Sequence, residues 1–361
     1  MLNKSNYSVT IVVTTYNLEK YIEKALDSIL AQKTEFNFKI LIGDDCSSDK
    51  TPEILKSYKL KFPEKIDLVL NPCNMGSVYN SSSLFNKIDT DYISFLDGDD
   101  YWINENRLQK QFDFLESNPE YIMCGANTLM INEDNDQRIL IDKNITNTEF
   151  GFDEYINGRG YFVHTSSILL RNLIYKKGID QKYFDAVGKF YECAFRGEDV
   201  RFLDHLKMGK IKVFVDEVFS VYRIHSSGIW QGSSELKRNI ESIISYYIFQ
   251  NRYLDNSSYF FYNLCFNQYK IFLENLNLLL SKNFNLIQVK EYNLFLEFYN
   301  YLILNDRIFC NFLRNKFNNL LINQNRSQNK IKIKYLILMK IYNKIKKILI
   351  KKNLLNENNN L

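Results

Sequence analysis

Chemistry is most concentrated in Asp97-Gly98-Asp99-Asp100, which follows the apolar run Tyr92-Ile-Ser-Phe-Leu96 and runs into Tyr101-Trp102. Three carboxylates spaced by a single glycine repel one another, and each raises the pKa of the others unless a cation lies among them. A hard divalent ion with oxygen ligands, Mg2+ or Mn2+, answers that repulsion. An ion held by only a few protein groups keeps open positions, which phosphate oxygens can fill. Taken alone, four such residues also make an ordinary solvated acidic turn. Their place at the end of an apolar strand argues against that plain alternative.

Strands and helices must deliver the cluster, and the first half of the chain alternates the two. Val9–Val13 is a β-branched run that ends in polar Thr14, Thr15, Tyr16 and Asn17. Leu18, Tyr21, Ile22, Ala25, Leu26 and Ile29 then recur at the spacing of one helix face. A second strand, Phe38–Ile42, ends in Gly43-Asp44-Asp45, and Thr51 with Pro52 reads as a helix N-cap followed by proline. Ile66–Leu70, Tyr92–Leu96 and Ile122–Cys124 supply further strands, with a helix pattern over Val78–Ile88. This pitch predicts βαβ units and a mostly parallel sheet flanked by helices, a Rossmann-like α/β fold. Ligands of such sheets bind beyond the carboxyl ends of the strands. Three polar exits, Thr14–Asn17, Asp44/Asp45 and Asp97–Asp100, are therefore expected at one crevice.

Four segments taken together (VTIVVTTYN, ILIGDDCSSDKT, NMGSVYN and YISFLDGDDYW, within residues 9–130) resemble the nucleotide-sugar-binding half of the family-2 glycosyltransferases, which have the GT-A fold. The first segment departs from the family at Thr14, where proline is frequent. The resemblance implies that Thr15 and Tyr16 line a nucleobase pocket and that Asp45, or its neighbour Asp44, accepts hydrogen bonds from a base edge. It implies a place for Asp97 near ribose and metal, with Gly98 between, and for Asp99 as ligand of the metal bridging the donor diphosphate. It also matches Asn80 to an asparagine near the nucleotide. A local reading competes for the second segment, since Asp45, Ser47, Ser48 and Asp49 also make a polar turn.

A transferase must also take a proton from its acceptor hydroxyl, which calls for a carboxylate or a histidine in the cleft. Gly197-Glu198-Asp199-Val200 opens a helix pattern, where acids are stabilised by the free N–H groups whether or not they have further work. Members of the family the chain resembles typically carry an ED or GD pair here, which implies Asp199 as base with Glu198 in support. Val221-Tyr-Arg-Ile-His-Ser-Ser-Gly-Ile-Trp230 resembles the segment after the last catalytic strand, implying His225 as a metal or diphosphate ligand. Arg223 would offset phosphate charge, His164 would line the acceptor cleft or sit as a satisfied strand residue, and His205 reads as structural. The implied reaction is a single inverting displacement from a nucleotide-sugar, with a UDP-sugar placed first, to a glycan or lipid-linked glycan acceptor. A silent nucleotide-sugar-binding module and a sugar nucleotidyltransferase are the competing readings. Neither Trp102 nor Trp230 carries the QxxRW motif of processive synthases, so one sugar per encounter is expected.

Composition bounds the rest. A hydrophobic share of 45% with 24% charged residues is globular, which excludes wholesale disorder and coiled coil. The net charge of +4 on 361 residues is too small to argue for nucleic acid. Six scattered cysteines without a CxxC pair read as reduced thiols, and neither a signal peptide nor a membrane span is apparent, so a cytoplasmic site is expected. Residues 326–361 hold ten Lys/Arg and one acid. Lys340, Lys344, Lys347 and Lys351 lie on one helix stripe opposite Leu338, Ile341, Ile345 and Ile348. That is the composition of a peripheral anchor on an anionic membrane surface, or of a terminal helix with a solvated lysine face. The expected organisation is a catalytic domain over 1–230 (nucleotide-sugar half 1–130, acceptor half 131–230), a helical region over 231–325 and the basic tail.

Overall fold

Alternating burial along the strands shows why a sheet forms between two helical layers. In β1 (Val9–Thr15), Val9, Ile11 and Val13 face one side and Val12 the other, and none exposes more than 2% of its surface. The first side joins β2 (Phe38–Asp44) to Ile22, Ala25, Leu26 and Ile29 of α1 (Ile22–Leu30), Leu55 of α2 (Thr51–Lys61), and Leu108 and Leu115 of α4 (Arg107–Ser117). The second collects Leu41, Ile93, Phe95 and Met123 with Leu84 and Phe85 of α3 (Ser77–Phe85).

The computed structural model describes residues 8–175, 190, 198–228, 232–254, 258 and 260–280, with a few helical positions between 294 and 316. Counting also β3 (Ile66–Leu70), β4 (Tyr92–Asp97), β5 (Tyr101–Trp102), β6 (Tyr121–Asn132), β7 (Gln137–Ile139), β8 (Glu149–Phe150), β9 (Leu169–Arg171) and β10 (Lys210–Ile224), the strand order is β3-β2-β1-β4-β9-β6-β10-β5, with β7 on β6 and β8 on β10. The pairs β3–β2, β2–β1 and β1–β4 are parallel, as expected. Beyond β4 the sheet is mixed, because β9 runs antiparallel between β4 and β6. Since β6 and β10 are parallel, the chain leaves β1, β2, β4, β6 and β10 at the same end of the sheet. The approach to β9, residues 162–168, reaches that end too.

Helix α5 (Phe152–Ile156) precedes a single 3-10 turn at Thr165–Ser167, and α6 (Glu198–Leu206) leads into β10 through three residues. The helix α7 (Glu235–Tyr253) begins at Ser234, whose hydroxyl accepts the Lys237 amide, and α8 (Phe260–Leu280) packs along it. The helix expected from an N-cap at Thr51 instead begins at that residue, with Lys50 as cap. The Thr51 hydroxyl accepts the Leu18 amide at 2.9 Å, and Asp49 takes the Thr51 amide at 2.9 Å. By contacts the chain divides into two compact units, Met1–Glu291 and Tyr292–Leu361. The basic tail, Gly197 and Trp230 lie outside the described residues. Among the described residues no helix is long and apolar enough to cross a membrane.

Candidate active site

Two strand exits interlock before any ligand is considered. Asn17 and Cys46 both adopt the left-handed conformation (φ 54° and 62°), which turns the chain back at the ends of β1 and β2. The Asn17 side chain accepts the Ser48 amide at 2.8 Å, and the Asn17 amide donates to the Ser47 hydroxyl at 2.8 Å. Asp44 is buried and accepts the Ser47 amide and hydroxyl at 3.0 and 2.5 Å. Burial raises its pKa, against the lowering effect of those two bonds.

Asp45 spends its carboxylate on the chain itself. It accepts the Met75 and Gly76 amides, both at 2.8 Å, and the Asn71 side-chain amide at 3.1 Å. It thereby ties the entry of α3 to the end of β2. Asn80 closes the same corner: its amide nitrogen donates to the Gly43 carbonyl at 2.9 Å and its oxygen accepts from Asn71 at 3.1 Å. Asn80 and Asp45 are therefore built into the wall at the exit of β2. The exit of β1 lies beside it. Tyr16 is 43% exposed, and the buried Thr15 hydroxyl has no hydrogen-bond partner among the described residues.

The acidic turn divides its three carboxylates among three surroundings. Asp97 is exposed and accepts the Thr14 hydroxyl at 3.2 Å. Gly98 is enclosed, since a Cβ there would stand 3.0–3.1 Å from Leu18, Ile22 and the Thr14 carbonyl. Asp99 reaches His225, with Oδ2 3.1 Å from Nε2 across 126 residues of sequence. The other ring nitrogen of His225 pairs with the Ser227 hydroxyl at 2.8 Å, and the ring packs on Tyr21 at 4.6 Å between centroids. Asp100, which the acidic pattern groups with the other two, is fully buried and faces away from the crevice into the protein. It accepts the Ser166 hydroxyl at 2.7 Å and the Arg223 amide at 3.1 Å. Burial, with Asp99 and Asp97 adding to it, pushes its carboxyl well above the ordinary range. His164 Nδ1 stands 3.8 Å from the same carboxyl, and burial pushes its pKa down to about 4.

Arg223 does not project freely as a phosphate-neutralising cation. Its guanidinium donates to the Asp99 carbonyl at 2.5 Å and lies over the rings of Tyr21 and Tyr101. Glu133 accepts the Ser226 amide and hydroxyl, fixing the turn after His225 to the end of β6. His164 caps the 3-10 turn rather than sitting in a strand, and His205 is buried within α6. Glu198 and Asp199 are the first two residues of α6, and their side chains lie outside what the structure describes. The C-terminal end of α6 is three residues from the start of β10, so its acidic end is the one directed away from that edge.

Among the described residues no three His, Cys, Asp or Glu side chains form a ready metal cage. The Asp99–His225 pair nevertheless fits two adjacent positions of one divalent ion, because neighbouring ligands of an octahedral ion at about 2.1 Å stand about 3 Å apart. Asp97, exposed and accepting the Thr14 hydroxyl through one oxygen, completes no three-residue cage with them among the described residues. Tyr21, Ser166, Glu133 and the buried Arg107 escape sequence reading. None belongs to a motif, and each matters only through contacts made across the fold.

Comparison with known proteins gives this arrangement a context. Residues 10–178 match the family model described as "Glycosyl transferase family 2". An uncharacterized protein of Mycobacterium bovis is 29% identical over 225 residues, 62% of this chain and 61% of that protein. The putative teichuronic acid biosynthesis glycosyltransferase TuaG of Bacillus subtilis is 34% identical over 107 residues, 30% of this chain and 41% of its own length. The chain thus spans about three-fifths of the first relative and less of the second. The crystal structure of S. aureus TarS 1-349 in complex with UDP is similar with a TM-score of 0.50 at 20% identity, covering 76% of this chain and 72% of that one. That likeness is one of fold, and the fold is GT-A.

Proposed function

We propose that the chain is a family-2 glycosyltransferase that moves one sugar from a nucleotide-sugar to a hydroxyl of a glycan or lipid-linked glycan, inverting the anomeric centre. The observation that carries this reading is the Asp99–His225 pair, brought together at the strand exits that also hold Thr15, Tyr16 and Asp97. Thr15 and Tyr16 would receive the nucleobase, and Asp97 would lie towards the ribose. Mg2+ or Mn2+ held by Asp99 and His225 would supply positive charge for the departing diphosphate. Asp199 would take the proton of the acceptor hydroxyl while that oxygen bonds to the anomeric carbon and the bond to the diphosphate breaks on the opposite face. A carboxylate in the first turn of α6 would be favoured in its ionised form before the proton is taken.

A panel of nucleotide-sugars with Mn2+, scored for nucleoside diphosphate release, tests the reaction. UDP-sugars open the panel because the solved protein of the same fold was obtained with UDP. Release of pyrophosphate instead would make the chain a nucleotidyltransferase. Asp199→Asn is expected to lower kcat by about 10²–10⁴-fold while donor binding stays within about twofold. A normal rate in that variant removes Asp199 from the mechanism.

A further inference from the structure

We infer that Asp100 is a positioning residue, the hydrogen-bonded brace that sets Asp99 against His225, and not a third ligand of the acidic turn. The inference rests on the proposed role of Asp99 and His225 as a metal-binding pair.

Asp99 and His225 lie just past the ends of β4 and β10, which β9 and β6 separate in the sheet. Their 3.1 Å approach is set in part by β5, which follows the acidic turn and pairs with β10, Tyr101 with Val221 and Trp102 with Ser220. Beyond that ladder, two hydrogen bonds carry the pairing on towards His225, and both end on Arg223, two residues before it. Its amide donates to Asp100 Oδ1 at 3.1 Å, and its guanidinium donates to the Asp99 carbonyl at 2.5 Å. The other oxygen of Asp100 takes the Ser166 hydroxyl at 2.7 Å. Ser166 is anchored in turn, because its carbonyl accepts Trp102 Nε1 at 2.7 Å and Arg107 Nη1 at 3.1 Å. Arg107 is completely buried, has no carboxylate partner among the described residues, and also bonds Gln111, Ser94 and the Ile168 carbonyl. A chain of contacts thus runs from the core beside β4, through the 3-10 turn, to the two residues that would face the ion. Asp100 is its central link. With no exposed surface and both oxygens engaged, the carboxyl has the surroundings of a bracket rather than of a ligand.

The distinguishing variant is Asp100→Asn in the full chain. Asparagine can accept the Arg223 amide through its oxygen and donate to Ser166 through its nitrogen, so it keeps the brace but would ruin a metal ligand. Mn2+ binding, followed by the electron paramagnetic resonance of free Mn2+, is expected to stay within about threefold of wild type for Asp100→Asn. It should be lost in Asp99→Asn and weakened about 10–100-fold in Asp100→Ala. Ser166→Ala, which deletes one hydroxyl, should weaken Mn2+ binding in the same direction should the alanine at 100 fail to fold. Hydrogen exchange over residues 222–226 gives a readout that needs no metal. Protection of this segment should persist in Asp100→Asn and fall in Ser166→Ala. Loss of Mn2+ in Asp100→Asn equal to that in Asp99→Asn would make Asp100 a ligand and overturn the inference. Unchanged binding and exchange in both Asp100→Ala and Ser166→Ala would overturn it as well. A wild-type chain that takes up no Mn2+ would end the metal reading, while exchange over 222–226 would still decide whether Asp100 is the brace.

Discussion

At the scale of single residues, the corner at the exit of β2 is held by contacts that leave no slack. A methyl group on Gly43 would stand 2.6 Å from Asn80 Oδ1 and 2.9 Å from Leu84. Asn80 cannot retreat without giving up the Gly43 carbonyl and Asn71. Gly43→Ala is therefore expected to cost about 1–3 kcal/mol, read as a lower urea midpoint at unchanged slope. An unaltered midpoint would show that the corner yields. The same corner explains which site residues could be read in advance. Asp97, Asp99 and His225 stand in short motifs, and the motif names their surroundings. Asp45 and Asn80 have types that suit a nucleotide, but type does not reveal that Asp45 also takes the Met75 and Gly76 amides of the loop 30 residues on, or that Asn80 also bonds the Gly43 carbonyl and Asn71. Asp100 is the sharpest case, since its spacing is that of a ligand and only burial distinguishes it.

At the scale of elements, β1, β2 and β4 were legible because each is a short β-branched or apolar run covered on both faces. The limits of helices were less so, for a reason visible at α2. The Thr51 hydroxyl was free in sequence terms to cap its own helix, and the fold assigns it to the Leu18 amide instead. Asp49 takes over, accepting Thr51 N at 2.9 Å and Glu19 N at 3.0 Å, and so ties the loops after β1 and β2 together. Partial desolvation acts against it, yet these bonds and the Thr51 hydroxyl hold its carboxyl below the ordinary range. A depressed folded-state pKa contributes stability above the unfolded value near 3.8, and that contribution fades as pH falls through the folded value. The stability advantage of the native chain over Asp49→Asn should accordingly be full at pH 6–7 and shrink below about pH 4. Denaturant titrations of both proteins at several pH values check this, and a gap that widens in acid would contradict it.

At the scale of the whole molecule, the helices after the sheet are more than an appendage, because α7 and α8 fall in the same compact unit as the site. The reading of a separate helical stretch from residue 231 rested on composition, and composition does not record which helix α7 grips. That helix is α6, the one opening with Glu198 and Asp199. Arg252 donates to both oxygens of Asp204, at 3.1 and 2.9 Å, and the Tyr253 hydroxyl donates to Oδ1 at 2.8 Å. Lys207 of the loop after α6 lies over the Tyr253 ring, which also packs near Phe152. The carboxylate and guanidinium are only partly exposed, at 22% and 32%, so the pair is screened less than a free surface pair. A double-mutant cycle of Asp204→Ala and Arg252→Ala should give a coupling of about 0.5–1 kcal/mol, smaller in 1 M salt. Strictly additive effects would mean that aromatic packing alone joins α7 to α6. A measured coupling would instead make α7 part of what fixes the direction of the acidic helix. In that case Arg252→Ala, remote from the crevice, should lower kcat more than it raises the donor KM, because its effect would pass through the placement of α6.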